Sequence, residues 1–550
     1  MIETLKTFTA LSEEFVELFM KHHPVAATEA GLHDYDHVMP DDSPDGLKAR
    51  AAWLRDLEQR LVASVPWDEL PVESRVDYAL LRSRLSTLRA ELEEIRLPQR
   101  MPTLFLERAF LGVHLPLSRT TAPADERKEA ALARLMAIPD YLEAAGANLG
   151  AVPPVLLDAG VDLAARGPGF VDDVVRRLLR QFPGEAERLE HAGTRARTGF
   201  LRFHDHLDRT LRPRAEGAFA LSERWTNFLL EHAHLLAFTA RDVEGLARTE
   251  VESLRAKLAD EAQRVDRKRP WRELLAEGRA RHPEAGWLRE AYVAEIERAR
   301  RFVSEHGLAL LPDGERLEVA ETPLFRRGEL PATGYQGPAP FDSDGTGLFF
   351  FTPVDARRDK VSQERQLRLH CAPALPLHVL RAGYPGEHVR RVAARRAPTR
   401  LRRIADDAVF AAGWNAWAED AMLAAGWFST DPLSPLFLFA AAHERAHLAL
   451  ADLGLHTGVM SLDEASAMLE REAGCDAGEA AAHVRGCCVR PLAAATALVG
   501  AVAFRDLHEE ARRRAGGTLD LARFHDALLA GGSIPPSLLT EELWEKWSVS

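Results

Sequence analysis

The chain has 550 residues, which is enough for a large core and for more than one folding unit. Hydrophobic residues make up 46% and charged residues 28%, an ordinary composition for a soluble globular protein. The formal net charge of −13 argues against a nucleic-acid-binding protein, which would need a basic surface.

The cysteines and the apolar segments bear on the cellular compartment. Cys371, Cys475, Cys487 and Cys488 form no disulfide framework and are interpreted as reduced thiols. The N-terminal sequence MIETLKTFTALSEEF lacks the apolar stretch of a signal peptide. The longest uncharged apolar run, from Pro491 to Phe504, is shorter than the roughly 20 residues needed to span a bilayer. We therefore expect a cytoplasmic protein without membrane contact.

Helical periodicity dominates the first half of the chain. Residues 1–23 and 46–64 show amphipathic patterns, and residues 73–95 carry a stripe of leucines on one helix face. Pro98, Pro102 and Pro116 are predicted to break the next stretch. Helical patterns then return as far as residue 265. We place a boundary there, giving an N-terminal helical region, 1–265, and a C-terminal region, 266–550, although one continuous domain is equally compatible with the sequence.

The second half contains two candidate strands. Leu317 and Val319 alternate with charged residues after an Asp-Gly turn, and the aromatic run LFFFTPV occupies 348–354. From Ser362 to about Arg514 the patterns are helical again. The sequence thus predicts a mainly α protein with a small β-sheet. Such strands directly before a motif helix are typical of zinc peptidases, where an edge strand can bind an extended peptide.

Five segments together resemble the bacterial domain-of-unknown-function-885 family, which is regarded as zinc-metallopeptidase-like. They are HPVAATEAGLHDYDHVMPD, GYPGEH (383–388), AGWNAWAE (412–419), RAHLALADLGLH (445–456) and FHDALLAGGSIPPSLL (524–539). The resemblance covers essentially the whole chain. It implies a large helical, gluzincin-like fold with a small β-sheet beside an internal cleft.

The first family motif, H-E-x-Y-P-G-H-H, is altered in this chain. Arg381 occupies the first His position, Ala382 the Glu position, and Glu387 the next His position. Tyr384, Pro385, Gly386 and His388 fit the motif.

Two further family segments complete the implied site. In the second motif, E-G-W-A-x-Y-x-E, Ala412 replaces the leading Glu, the implied metal ligand, while Trp414 and Glu419 are retained. Asp452 and His456 match a later segment and are candidates to line the cleft, although Asp452 could equally be an ordinary helix-end residue.

These replacements change the chemistry that the resemblance implies. An arginine cannot ligate zinc and its charge repels the ion, so Arg381 removes a ligand. Ala382 leaves no base for a metal-bound water, and Ala412 removes another ligand. We expect Glu387 to pair with Arg381. The leading hypothesis is therefore a metallopeptidase-like protein without the family zinc site or any other cofactor, binding a peptide or small-molecule ligand in its cleft.

Two alternatives remain open. His443-Glu444-Arg445-Ala446-His447 is a literal H-E-x-x-H, whose two imidazoles share one helix face and could bind zinc with Glu444 as the base. Glu472 would be the third ligand, so this alternative is an active zinc hydrolase. The second alternative is a non-catalytic structural or interaction protein.

Overall fold

A computed structural model describes residues 2–119, 121–517 and 519–548, with the backbone alone described at 541 and 545–548. The structure is 72% helix with a small three-stranded sheet, so the predicted mainly α class is confirmed. Two compact units are present. One comprises Met1–Leu221 with Ala339–Ser343, and the other comprises Ser222–Pro338 with Asp344–Ser550.

Most of the N-terminal unit consists of ten helices. They are α1 (Ile2–His22), α2 (Pro24–Ala30), α3 (Pro44–Ser64), α4 (Val72–Glu93), α5 (Leu97–Arg100), α6 (Pro102–Ser118), α7 (Ala124–Gly146), α8 (Pro154–Ala164), α9 (Gly167–Gln181) and α10 (Ala186–Asp205). The predicted break at the prolines is wrong in part, because Pro102 begins α6 and Pro116 lies within its last turn. A proline in the first turn of a helix costs no hydrogen bond, which explains the start at Pro102.

A buried arginine organises the centre of this unit. Arg134, which is fully buried, donates to the carbonyl oxygens of Val38, Gly112 and Tyr35 and to the Thr28 hydroxyl. Because these donors reach segments far apart in sequence, one side chain satisfies the backbone of several loops and helices at once.

The C-terminal unit carries the remaining helices and the sheet. The helices are α11 (Glu223–Phe228), α12 (Ala240–Val265), α13 (Trp271–Arg279), α14 (Leu288–Glu305), α15 (Lys360–Arg368), α16 (Leu375–Ala382), α17 (Glu387–Ala394), α18 (Arg400–Ile404), α19 (Ala408–Ala424), α20 (Ser434–Thr457), α21 (Leu462–Met468), α22 (Ala477–Val489), α23 (Ala493–Arg514), α24 (Leu521–Ala530) and α25 (Pro536–Ser548). The division between the units lies at residues 221 and 222, whereas the sequence placed it near 265. Helix α12 belongs to this unit because its Leu258 and Ala262 pack in one core cluster with Leu433 and Leu436.

The sheet contains both predicted strands and one that the sequence did not predict. Strand β1 (Arg316–Glu321) pairs in parallel with β3 (Thr346–Phe351), and β2 (Thr333–Gln336) pairs antiparallel with β3, giving the order β1-β3-β2. Strand β2 is only four residues long and lies in a Gly- and Pro-rich stretch, a composition that does not indicate a strand. Both edge strands contribute to the candidate site, because Glu315 directly precedes β1 and Tyr335 lies on β2.

Helix crossing at two glycines holds the second motif in place. A Cβ on Gly500 of α23 would clash with the Val409 carbonyl oxygen of α19, and a Cβ on Gly413 would lie 2.6 Å from the Gly500 carbonyl oxygen. The two helices therefore approach closely only because both positions lack a side chain. This contact fixes α19 and so orients Trp414 and Glu419.

Candidate functional site

The first motif forms a tight turn between two short helices. Helix α16 ends at Ala382 and α17 begins at Glu387, and the Gly386 amide donates to the Leu380 carbonyl oxygen at 3.0 Å. The indole nitrogen of Trp414 donates to the carbonyl oxygens of Pro385 and Gly386 at 2.9 and 3.0 Å. The retained Pro, Gly and Trp of the two motifs are thus joined by direct hydrogen bonds, which anchor the turn to α19.

His388 is fully buried, and both its ring nitrogens have partners. Its Nε2 lies 2.8 Å from Glu315 Oε2, and its Nδ1 lies 3.0 Å from the Tyr335 hydroxyl of β2. A Cβ on Gly347 of β3 would lie 2.7 Å from this Nδ1, so the glycine makes room for the ring. Neither ring nitrogen is left to ligate a metal ion.

Glu315 is the acidic centre of this buried cluster. Its Oε2 accepts from the Tyr384 hydroxyl at 2.5 Å, and its Oε1 accepts from Arg300 Nε at 2.8 Å. Burial raises the pKa of Glu315, but the hydrogen bonds from His388, Tyr384 and Arg300 outweigh burial and lower it to about 2. The carboxylate is therefore ionised and satisfied. Burial and the hydrogen bond to Glu315 raise the pKa of the Tyr384 phenol, although the nearby Arg300 acts to lower it.

Arg381 and Arg445 both bind Glu419. Arg381 Nε donates to Glu419 Oε1 at 2.5 Å, and the two terminal nitrogens of Arg445 donate to Oε1 and Oε2 at 3.2 and 2.6 Å. The side chain of Glu419 is 5% exposed, while those of Arg381 and Arg445 are 30% and 33% exposed. Burial raises the pKa of Glu419 despite the charge of Arg381. We call these three residues the arginine–glutamate clasp.

The predicted pairing of Glu387 with Arg381 is wrong. Glu387 accepts from Arg390 Nη2 at 2.5 Å and from Arg391 Nε at 3.1 Å. Glu387 opens α17, so the arginines three and four residues later lie on its own helix face. Arg381 instead faces α19, and its Nη2 is buried without a hydrogen-bond partner among the described residues.

The donor set at this motif does not fit a zinc ion. His388 has both nitrogens engaged, Arg381 brings a fixed positive charge, and Ala382 and Ala412 offer no donor atom. A zinc site needs at least three N, O or S ligands directed at one point, and these residues supply none that is free.

Asp452 and His456 lie inside the unit and are fully buried. The Asp452 carboxylate accepts from the backbone amides of Leu492, Ala494 and Ala495 at 2.9 to 3.2 Å, which caps the start of α23. Burial raises the pKa of Asp452 to about 7, although these three amides act to lower it. His456 Nε2 lies 3.0 Å from the Cys487 carbonyl oxygen. Both residues thus contact the backbone of neighbouring helices.

The H-E-x-x-H pentapeptide splits between two faces of α20. The His443 and His447 rings lie 4.4 Å apart, and both ring nitrogens of His443 are buried without a hydrogen-bond partner in the described part of the chain. Burial lowers the pKa of His443 to about 4. Glu444 points elsewhere, with Oε1 3.0 Å from His483 Nε2. Glu472 is paired with Arg255 and Arg471.

Sequence reasoning missed several members of these clusters. Glu315, Tyr335 and Arg300 join His388 from 53 to 88 residues away, and no spacing in the sequence relates them. Arg445 is the third residue of the H-E-x-x-H pentapeptide, a motif in which only the histidines and the glutamate have a role at a metal. Arg445 is 64 residues from Arg381 and lies on a different helix, so no sequence spacing could have shown that both bind Glu419.

The family can be stated from a direct comparison. A model described as "Bacterial protein of unknown function (DUF885)" matches residues 24–543. The chain belongs to this family. The match confirms the resemblance inferred from the five segments. No curated protein matches this DUF885 chain.

Two solved structures resemble the DUF885 chain over almost its entire length. A putative lipoprotein from Colwellia psychrerythraea aligns with a TM-score of 0.84 and 14% identity, covering 100% of both chains. A putative lipoprotein of unknown function from Shewanella oneidensis aligns with a TM-score of 0.77 and 19% identity, covering 98% of this chain and 99% of the other. At these identities the likeness shows a shared fold.

The helices described for this DUF885 protein are short or polar relative to a bilayer-spanning segment. Among the described residues, no single helix is long and apolar enough to cross a membrane. Helices Ala477–Val489 and Ala493–Arg514, which are bent by 87° relative to each other, would together be long and apolar enough, by length and composition only.

Proposed function

We propose that this DUF885 protein is metallopeptidase-like in fold, lacks a zinc centre at the Arg381 motif, and binds a peptide or small ligand there without hydrolysing it. The observation that carries the proposal is the arginine–glutamate clasp, which puts two cations and one buried carboxylate at a motif that the family resemblance assigns to zinc. The clasp and the engaged His388 leave no donor for a metal, so the site supports binding and not metal-assisted hydrolysis.

The unpaired nitrogen of Arg381 indicates the kind of ligand. Its Nη2 is buried and has no hydrogen-bond partner among the described residues, while the side chain as a whole is 30% exposed. A guanidinium with a spare donor binds carboxylate or phosphate groups, because the bond is charge-assisted and directional. The carboxylate end of a peptide is the matching group. Tyr384 and Trp414 are buried, so the ligand would approach from the arginine side of the turn.

The test combines peptide binding with a search for hydrolysis. Short peptides with a free C-terminal carboxylate are titrated against the full chain by calorimetry and compared with the same peptides carrying a C-terminal amide. Wild-type protein should prefer the free carboxylate, and Arg381→Met should abolish that preference. Arg289→Met, which removes an exposed arginine from α14, is the matched control and should bind as wild type does.

Two outcomes would overturn the proposal. Zinc-dependent cleavage of the peptides that disappears in a His388→Ala variant would show a working metal centre at the motif. Equal binding of acid and amide peptides, unaffected by Arg381→Met, would remove the role given to Arg381. If no peptide binds at all, the remaining alternative is a non-catalytic structural or interaction protein, which the buried Tyr384 and Trp414 also suit.

A second candidate is an active zinc hydrolase built on His443 and His447. It is favoured by the two partnerless nitrogens of His443, because a buried imidazole without hydrogen bonds is costly unless something else binds it. It is opposed by the pairing of Glu444 with His483, which takes the expected base away from the two histidines. Loss of both metal and hydrolytic activity in His443→Ala would favour it over the first proposal.

A cytoplasmic location is also part of the proposal. The four cysteines are free and buried thiols, as a reducing compartment allows.

A further inference from the structure

Three side chains of different chemistry meet beside α20, on the side to which Glu444 points. Glu444 lies on α20, Cys475 lies in the loop before α22, and His483 lies on the second turn of α22. The ligand atoms of these three residues all lie within 4.8 Å of one another, and no other set of three His, Cys, Asp or Glu side chains among the described residues comes so close. We propose that Glu444, Cys475 and His483 bind one zinc-type transition-metal ion.

The distances between the three ligand atoms are close to those found around a tetrahedrally coordinated metal ion. Metal–ligand bonds of about 2.0 to 2.3 Å place the ligand atoms about 3.2 to 3.8 Å apart. Glu444 Oε1 and His483 Nε2 are already 3.0 Å apart, and the Cys475 thiol, which lies within 4.8 Å of both, is the ligand that has to come closer. Helices α20 and α22 pack together and hold two of the ligands on rigid elements.

The ligand chemistry selects the ion. A thiolate and an imidazole are soft and borderline ligands that favour zinc and related transition metals, whereas magnesium and calcium prefer all-oxygen sites. One carboxylate and one thiolate also neutralise a divalent cation, with the imidazole neutral. The site would therefore carry no net charge once the ion has displaced the protons from the thiol and the imidazole.

The surrounding charges balance as well. The positive charges of Arg279 and Arg381 lie close enough to interact with the Glu444 carboxylate. The negative charges of Asp476 and Glu479 interact in the same way with the Cys475 thiol. The two acids are partly used by the backbone, since Asp476 and Glu479 cap the start of α22 reciprocally. Two cations and two anions around the three ligands leave no strong local field against a divalent ion.

A cavity lies beside the proposed site and is lined by sequence neighbours of two of its ligands. Asp476, directly after the cysteine ligand, and Glu479, one turn before the histidine ligand, line a cavity of about 500 Å³ together with Arg279 and Phe437. Three protein ligands with an open position is the pattern of catalytic zinc sites, in contrast to closed four-ligand structural sites. With three protein ligands, the proposed ion would keep a fourth position for a water molecule or a small ligand. This assignment makes Glu444 a ligand, and it gives no role to His443 or His447.

The test uses the full chain without a His-tag, stripped with a chelator and reloaded with cobalt or zinc. We expect about one ion per chain and a thiolate-to-cobalt charge-transfer band in the cobalt form. Cys475→Ser should abolish the band, and His483→Gln should weaken zinc binding about tenfold or more. Cys487→Ser, which removes a buried thiol from α22, and His447→Gln are the matched controls and should leave both signals unchanged.

A variant that replaces one metal-binding side chain by another distinguishes loss of the site from misfolding. His483→Cys retains three ligands and adds a second thiolate, so it should still bind about one cobalt ion with a stronger charge-transfer band. Less than about a tenth of an ion per wild-type chain would overturn the proposal. So would metal binding that survives Cys475→Ser and His483→Gln together but is lost in His447→Gln, which would move the ion to the other face of α20.

Discussion

The arginine–glutamate clasp makes a sharp prediction about stability. In Glu419→Gln the side chain keeps its size but loses its charge, so Arg381 and Arg445 are left side by side without a counterion. Glu419 accepts three hydrogen bonds of 2.5 to 3.2 Å from the two guanidiniums. Removing one partner of a buried ion pair costs about 3 to 5 kcal/mol. Both arginines are about one-third exposed, so water screens part of the loss, and we expect about 2 to 3 kcal/mol.

The complete replacement of the clasp should behave differently. Burial raises the pKa of Glu419 in spite of Arg381, which means that the ion pairs do not fully offset the cost of taking the carboxylate out of water. The triple variant Arg381→Met, Glu419→Leu, Arg445→Met removes all three charges at once. We expect it to lose less than about 1 kcal/mol, and thus to be more stable than Glu419→Gln alone.

Urea unfolding at pH 7, followed by far-ultraviolet circular dichroism, measures both variants against wild type. Glu509→Gln, a change at an exposed glutamate of α23, is the control and should stay within about 0.5 kcal/mol of wild type. A Glu419→Gln loss below about 0.5 kcal/mol, or a triple variant less stable than Glu419→Gln, would refute the reasoning.

Three further predictions rest on single buried groups. Because His388 and Tyr384 overcome burial and lower the pKa of Glu315 from 4.5 to about 2, this group contributes about 3 kcal/mol of stability above pH 4.5, which is lost as the pH falls toward 2. The urea midpoints of wild type and Glu315→Gln should therefore differ most at pH 7, differ less at pH 3 and converge only near pH 2. A difference that stays constant with pH would contradict the assignment. Asp452→Ala leaves three amides of α23 without an acceptor and should lower stability by about 2 to 3 kcal/mol in thermal unfolding; an unchanged melting temperature would show that the cap contributes nothing. Burial raises the pKa of all four cysteine thiols, so a thiol reagent at pH 8 should react with them slowly in the folded chain and rapidly in urea, and fast labelling of the folded chain would contradict their burial.

The sequence alone determined the secondary structure class and much of the local chemistry. Hydrophobic periodicity gave a mainly α protein, and alternation after an Asp-Gly turn located the strand at Leu317 and Val319, because helix and strand periods are properties of neighbouring residues. The absence of donor atoms at Ala382 and Ala412 follows from the residue types themselves. The pairing of Glu387 with arginines three and four residues later is also local, and its helical spacing would have predicted it.

The tertiary structure decided which distant side chains meet. Arg381 binds Glu419, 38 residues away on α19, because α16 and α19 pack side by side. Glu444 and His483 meet because α20 packs on α22, so the glutamate of the H-E-x-x-H sequence pairs with a residue of another helix. Spacing within one helix fixes the direction of a side chain only relative to its own axis. The partner it finds depends on how that helix is rotated against its neighbours, and this rotation is set by the packing of the whole core.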